Sequence, residues 1–108
     1  MRARAGMSGE DVEKEAHLSY FLGEVYSEKR MFEYALKFYR RYLGFAKAME
    51  DVIGMSLGAN RVAISYFNCG QTEKSILFHN ENLKLSNNDN CFVGFYNIGI
   101  CYRRLKKL

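Results

Sequence analysis

One pattern of residues occurs three times along this 108-residue chain and constrains its fold more than any other feature. An apolar residue is followed by a small residue and, three positions after that, by a tyrosine. The occurrences are Leu22-Gly23 with Tyr26, Val62-Ala63 with Tyr66, and Ile98-Gly99 with Tyr102. They are separated by 40 and 36 residues. A period in this range predicts stacked supersecondary units rather than one irregular core.

Each unit is predicted to contain two antiparallel helices. From Leu18 to Tyr26 the apolar residues follow the i, i+3, i+4, i+7 spacing of one helical face. A second apolar stripe begins at Phe32, after a short polar break. In the next unit Gly70 marks the break, because glycine readily adopts the left-handed conformation that ends a helix. These patterns predict an all-α fold of stacked αα-hairpins.

Small residues are expected where the two helices of a unit meet, since they let the helix axes approach closely. They are Gly23, Ala63 and Gly99 in the first helices, and Ala35 and Ser75 in the second helices.

The patterns divide the chain into four parts. Residues 1–14 are predicted to be a flexible segment, 15–50 the first repeat, 51–88 the second, and 89–108 the first helix of an incomplete third repeat. The polar run 86–90 is predicted to be a loop, and Asp51 the N-cap of the first helix of the second repeat. Ile98 and Tyr102 would then lie exposed unless another chain covers them, which suggests a piece of a longer protein or of a larger assembly.

These residues resemble the tetratricopeptide repeat family. The first unit matches its pattern at Leu22, Gly23, Tyr26, Phe32, Ala35, Tyr39 and Leu43; the second at Val62, Ala63, Tyr66, Gly70, Ser75 and Leu83; the third at Ile98, Gly99 and Tyr102. The chain departs from the pattern at Arg30, where the family has glycine, and at His79, where it has an aromatic residue. The resemblance implies a right-handed superhelical solenoid of about two and a half repeats.

The usual repeat has about 34 residues. The longer offsets and the absence of proline are similar to the long-repeat members of the family, which are scaffolds that bind extended protein segments. The sequence also resembles tetratricopeptide proteins of ciliary axonemes, some of which serve dynein-arm attachment. The resemblance therefore implies a non-catalytic scaffold or adaptor in the cytoplasm or the axoneme.

If the chain follows this family, its first helices line a concave groove that binds other proteins. The predicted groove residues are Tyr20, Asn60, Arg61, Ile64, Phe67, Tyr96, Asn97, Ile100 and Arg103. The alternative is that some of them pack against further repeats. We do not expect binding of a chaperone C-terminal tail, because Glu24 occupies a position of the carboxylate clamp and would repel a carboxylate.

Few residues support other chemistry. His17 and His79 lie in different units without a nucleophile motif, and the three cysteines lack the paired spacing of a zinc site. We therefore predict no enzyme activity, metal or cofactor. No apolar run is long enough to cross a membrane, and we expect no membrane partner.

The net charge of +4 lies entirely in the last six residues, at Arg103, Arg104, Lys106 and Lys107. A binder of nucleic acid or of an acidic polymer is the alternative function that this cluster suggests. We favour the simpler interpretation that these cations complement a helix C-terminus, so we do not expect a nucleic-acid partner.

Overall fold

Five α-helices follow one another along the chain. The computed structural model describes residues 8–85 and 91–106, including the side chains of all of these except 91–97. The helices are α1 Gly9–Glu28, α2 Phe32–Ala48, α3 Val52–Asn68, α4 Thr72–Leu85 and α5 Cys91–Lys106. The described part of the chain contains no strand, so the predicted all-α class is confirmed.

Three turns of the same form end α1, α2 and α3 at intervals of 20 residues. The residues with positive φ are Arg30 at 60°, Glu50 at 53° and Gly70 at 81°. In the first turn the N–H of Met31 donates to the Tyr26 carbonyl at 2.9 Å, and the equivalent bonds of the other two turns measure 3.0 and 2.9 Å. Gly70 thus ends its helix as predicted. Arg30 and Glu50 make the same turn without glycine, at a cost of about 1–2 kcal/mol each.

The start of α1 differs from the predicted boundary at residue 14. Ser8 accepts a hydrogen bond from the backbone N–H of Asp11 at 3.2 Å, and Glu10 and Asp11 lie in the first turn. A side-chain cap and acidic residues stabilise a helix N-terminus, so the helix already begins at Gly9. The remainder of the predicted flexible segment, residues 1–7, and the predicted loop 86–90 lie outside the described residues.

Each helix packs mainly against its neighbours in sequence: α1 on α2, α2 on α3, α3 on α4, and α4 on α5. The larger apolar cluster joins α2 to α3 and comprises Ala35, Tyr39, Leu43, Val62 and Tyr66. A second cluster joins the start of α1 to the end of α2 and comprises Val12, Ala16, Tyr42 and Phe45. The predicted cap Asp51 is confirmed at the start of α3, where its carboxylate accepts from the Gly54 N–H at 3.0 Å.

Two close approaches fix the distances between the first three helices. A Cβ on Gly23 of α1 would lie 2.6 Å from two ring carbons of Tyr39 of α2. A Cβ on Gly58 of α3 would lie 3.1 Å from the backbone Cα of Leu43. The predicted small residues Ala35, Ala63 and Ser75 are likewise fully buried, and they allow these helices to pack closely.

The third occurrence of the sequence pattern does not occupy the position of the first two. Val62 of α3 is fully buried, but Ile98 is half-buried, Gly99 is exposed and Tyr102 is 54% exposed. The buried residue of α5 is Cys101, whose Sγ lies 3.4 Å from the Ser75 Oγ of α4. Cys101 therefore takes the place in α5 that the fully buried Val62 takes in α3, so the structural offset is 39 residues rather than 36.

Gly23 and Gly99 hold the same position in the sequence pattern, yet we expect opposite effects when each is changed to alanine. Gly23→Ala forces the buried Tyr39 ring to move and should lower the free energy of unfolding by about 1–3 kcal/mol. Among the described residues, a methyl group added at Gly99 would meet no side chain beyond the adjacent residues and no other helix within 4 Å. Gly99→Ala should therefore raise the free energy of unfolding by up to about 1 kcal/mol through helix propensity. Urea unfolding followed by circular dichroism measures both, and equal effects would contradict the packing described above.

Candidate functional site

Two side-chain contacts show that the odd-numbered helices lie side by side. Arg61 of α3 reaches Tyr20 and Glu24 of α1. Arg104 of α5 reaches Phe67 of α3. We use the term groove face for the exposed and half-buried residues of α1, α3 and α5 on the side away from α2 and α4. All nine predicted groove residues belong to these three helices.

A polar cluster occupies the boundary between the groove face and the core. It consists of Tyr20, Glu24, Tyr39 and Arg61, and we call it the Glu24 cluster. The Tyr39 hydroxyl donates a hydrogen bond to Glu24 Oε1, and Arg61 Nε lies 3.3 Å from the same oxygen. Arg61 also donates to the Tyr20 hydroxyl at 3.4 Å. One carboxylate therefore connects residues from α1, α2 and α3.

Burial and a hydrogen bond keep the Tyr39 hydroxyl of the Glu24 cluster protonated at neutral pH. Burial, followed by the hydrogen bond to Glu24, raises the pKa of Tyr39 above its usual value. The hydroxyl therefore remains protonated and donates to the carboxylate. The positive charge of Arg61 is compensated by Glu24, so this part of the groove face carries no net charge.

Tyr20 serves packing as well as hydrogen bonding. Its ring is half-buried between two rings of α2, with centroids 5.9 Å from Tyr39 and 5.1 Å from Tyr42. Tilted rings at these separations contribute about 0.5–1.5 kcal/mol beyond area burial. Of the predicted groove residues, Tyr20 and Arg61 thus already bond to or pack against other residues of the same chain.

Phe67 is also partly covered. The guanidinium carbon of Arg104 lies 3.6 Å from the centroid of the Phe67 ring, and the guanidinium donates to the Phe67 backbone carbonyl. This cation–π contact fixes α5 beside α3. It also removes Arg104 from the basic cluster that suggested a nucleic-acid binder, while Arg103 and Lys106 stay exposed.

The other predicted groove residues fall into two groups. Asn60, Ile64 and Ile100 are half-buried and Arg103 is exposed, so these side chains are accessible. The Oδ1 of Asn60 is buried without a hydrogen-bond partner in the described structure. The side chains of Tyr96 and Asn97 lie outside the described residues.

Two large apolar residues on the groove face were missed by the sequence analysis. Phe21 of α1 is 61% exposed and Ile53 of α3 is 82% exposed. Ile53 lies seven residues before Asn60 and eleven before Ile64, a spacing that places all three on one helical face. That spacing is visible in the sequence and could have identified Ile53.

A cleft of about 360 Å³ lies at the edge of the molecule, away from the groove face. It is formed by residues 30–34 of the first turn and α2, together with Asn68 and Cys69 at the end of α3. Burial and the nearby carboxylate of Glu33 raise the pKa of the Cys69 thiol. Cys69 therefore stays protonated at neutral pH, which disfavours a role as a nucleophile.

Helix α4 carries polar residues into the core. The Ser75 hydroxyl donates to the Ala63 carbonyl at 2.7 Å and also contacts Cys101.

His79 is 2% exposed, and its Nδ1 is buried without a hydrogen-bond partner in the described structure. Burial lowers the pKa of His79 below its usual value of 6.5. The imidazole is therefore neutral in the folded protein at pH 7.

Neither a metal centre nor a membrane span is found in the part of the chain that the structure describes. Among those residues, no three His, Cys, Asp or Glu side chains lie together where they could hold a metal ion. None of the described helices is both long enough and apolar enough to cross a bilayer.

Comparison with protein-family models, with curated proteins and with solved structures found no match for this chain.

Acidification should destabilise the fold through His79. Below about pH 6.5 the imidazole of His79 is protonated in the unfolded chain but stays neutral in the folded chain. The free energy of unfolding therefore falls as the pH drops toward the lowered pKa. Between pH 7 and pH 5 the free energy of unfolding should decrease by up to about 1.4 kcal/mol for each pH unit. Urea unfolding at a series of pH values measures this slope.

His79→Gln should remove most of that slope, since glutamine does not titrate. His17→Gln is the matched control, because His17 is exposed on α1 and its replacement should leave the slope in place. Identical slopes in wild type and His79→Gln would contradict the assignment of a buried neutral imidazole.

Proposed function

We propose that this chain is a non-catalytic protein-interaction module of the tetratricopeptide type. Its αα-hairpins stack as a right-handed solenoid, and the groove face binds an extended or helical segment of another protein. The sequence pattern and the sequential packing of antiparallel helices support this proposal.

The observation that carries the proposal is the exposure of large apolar side chains on the groove face. Phe21 and Ile53 are mostly exposed, and Ile64 and Ile100 are half-buried, although each of these three helices also packs one side against an even-numbered helix. Apolar residues beside amide and charged groups are typical of surfaces that bind proteins. Asn60 adds a buried amide oxygen that has no partner in the described structure.

The Glu24 cluster determines which ligands this face favours. Because Glu24 already neutralises Arg61, the face offers no free cation there for a carboxylate or a phosphate. Arg104 keeps its charge, but its guanidinium is held against the ring and the backbone carbonyl of Phe67. Apolar contact with hydrogen bonds to backbone or amide groups is therefore the mode of binding that we propose.

The cellular setting is proposed on sequence resemblance alone. The sequence resembles axonemal tetratricopeptide proteins, and a cytoplasmic scaffold of a ciliary assembly fits that resemblance.

Selection from a library of displayed peptides on the immobilised 108-residue chain tests the proposal. We expect the selected peptides to bind at least about tenfold more weakly to Phe21→Asp and Ile64→Asp, a loss of about 1.4 kcal/mol or more. Leu77→Asp is the matched control, because Leu77 is 66% exposed on α4 and lies outside the groove face. Its binding should equal that of wild type.

Salt separates this proposal from the alternative function. Apolar binding should change little between about 0.05 and 0.5 M NaCl, whereas binding through phosphate contacts weakens steeply. Failure to select any peptide, or binding that survives both groove variants and disappears with Arg103→Glu, would contradict the proposal.

A further inference from the structure

The terminal helices α1 and α5 each expose an apolar stripe of a kind that the internal helix α3 buries. Helix α3 has two such stripes. Gly58, Val62 and Ser65 form the one that meets the preceding helix, since Gly58 lies against the backbone of Leu43 in α2. A second stripe meets the following helix, α4: Ala59, Ala63 and Tyr66, with Ala63 accepting a hydrogen bond from Ser75.

On α1 the stripe that would meet a preceding helix is open. Leu18, Leu22 and Val25 lie 40 residues before Gly58, Val62 and Ser65. Leu18 is 55% exposed, and Leu22 and Val25 are half-buried, whereas the equivalent residues of α3 are all buried. Three large aliphatic side chains at i, i+4 and i+7 form a continuous surface on one side of the helix.

On α5 the stripe that would meet a following helix is open. Ile98, Tyr102 and Leu105 lie 39 residues after Ala59, Ala63 and Tyr66, which is the offset between the first residues of α3 and α5. Tyr102 is exposed, and Ile98 and Leu105 are half-buried. In α3 the two corresponding stripes meet α2 and α4. The open stripe of α1 therefore corresponds to a surface that follows a helix, and the open stripe of α5 to a surface that precedes one.

Charge favours joining these two stripes in antiparallel orientation, the same orientation in which consecutive helices of the chain pack. The first two turns of α1 expose Glu10, Asp11 and Glu13 and one cation, Lys14, which pairs with Glu10 at 3.3 Å. The last turn of α5 exposes Arg103 and Lys106. In an antiparallel pair the N-terminus of α1 lies beside the C-terminus of α5, so the acidic and basic groups meet.

We propose that the open stripe of α5 binds the open stripe of α1 in a second copy of this chain. The stack of helices then continues from one copy into the next. Because the two contacting surfaces differ, the interface is heterologous and the assembly can grow beyond a dimer. This inference does not depend on what the groove face binds.

Sedimentation equilibrium of the 108-residue chain tests the proposal. For wild type we expect an average mass that rises with protein concentration past that of a dimer, and that falls as salt screens the charges. Leu18→Glu and Tyr102→Glu should each be monomeric when alone. Leu77→Glu should assemble like wild type, because Leu77 belongs to neither stripe.

Mixing the two blocked variants gives the sharpest result. Leu18→Glu keeps its α5 stripe and Tyr102→Glu keeps its α1 stripe, so an equimolar mixture should form a one-to-one dimer that grows no further. Formation of that dimer also shows that both variants are folded.

Three results would overturn the proposal. The first is a wild-type chain that stays monomeric up to about 1 mM, the concentration at which even a weak association would be seen. The second is a Tyr102→Glu variant that still self-associates through α1 alone, and the third is a mixture of the two variants that remains monomeric.

Discussion

The ring of Tyr39 lies directly over Gly23, and the arrangement of the first three helices depends on this contact. The absence of a side chain at Gly23 lets α2 approach α1 closely enough for the Tyr39 hydroxyl to reach Glu24. The same carboxylate then holds Arg61 of α3. The missing side chain of Gly23 in α1 thus lets Tyr39 of α2 and Arg61 of α3 both bond to the carboxylate of Glu24. These bonds fix the relative positions of the three helices beneath the groove face.

Much of the fold could be predicted from the sequence because it depends on local patterns. Apolar periodicity predicts the helices, and small residues such as Ala35 mark where two helices meet. The register of α5 could not be predicted, because Gly99 and Tyr102 repeat the residue types of Gly23 and Tyr26 and only packing distinguishes them. Cys101 packs against Ser75 of α4, and Gly99, two residues earlier, therefore lies on the opposite, exposed side of α5.

The candidate site was harder to predict because its contacts join residues far apart in sequence. The sequence analysis assigned Arg61 and Tyr20 to one face, but the sequence offers no sign that they bond to each other across 41 positions. Exposure is also a property of the assembled helices, so apolar periodicity alone does not show that Phe21 lies at the surface. The result is a surface on which apolar residues lie beside Arg61, whose charge Glu24 neutralises.

Nuclear Overhauser measurements on the folded chain test the central contact most directly. We predict a strong effect between the ring protons of Tyr39 and the α-proton of Gly23 that takes the place of a side chain, together with a ring-current shift of that proton. Absence of these effects in a folded sample, with Gly23 α-protons at ordinary helical shifts, would contradict the packing of α1 on α2 on which the groove face is built.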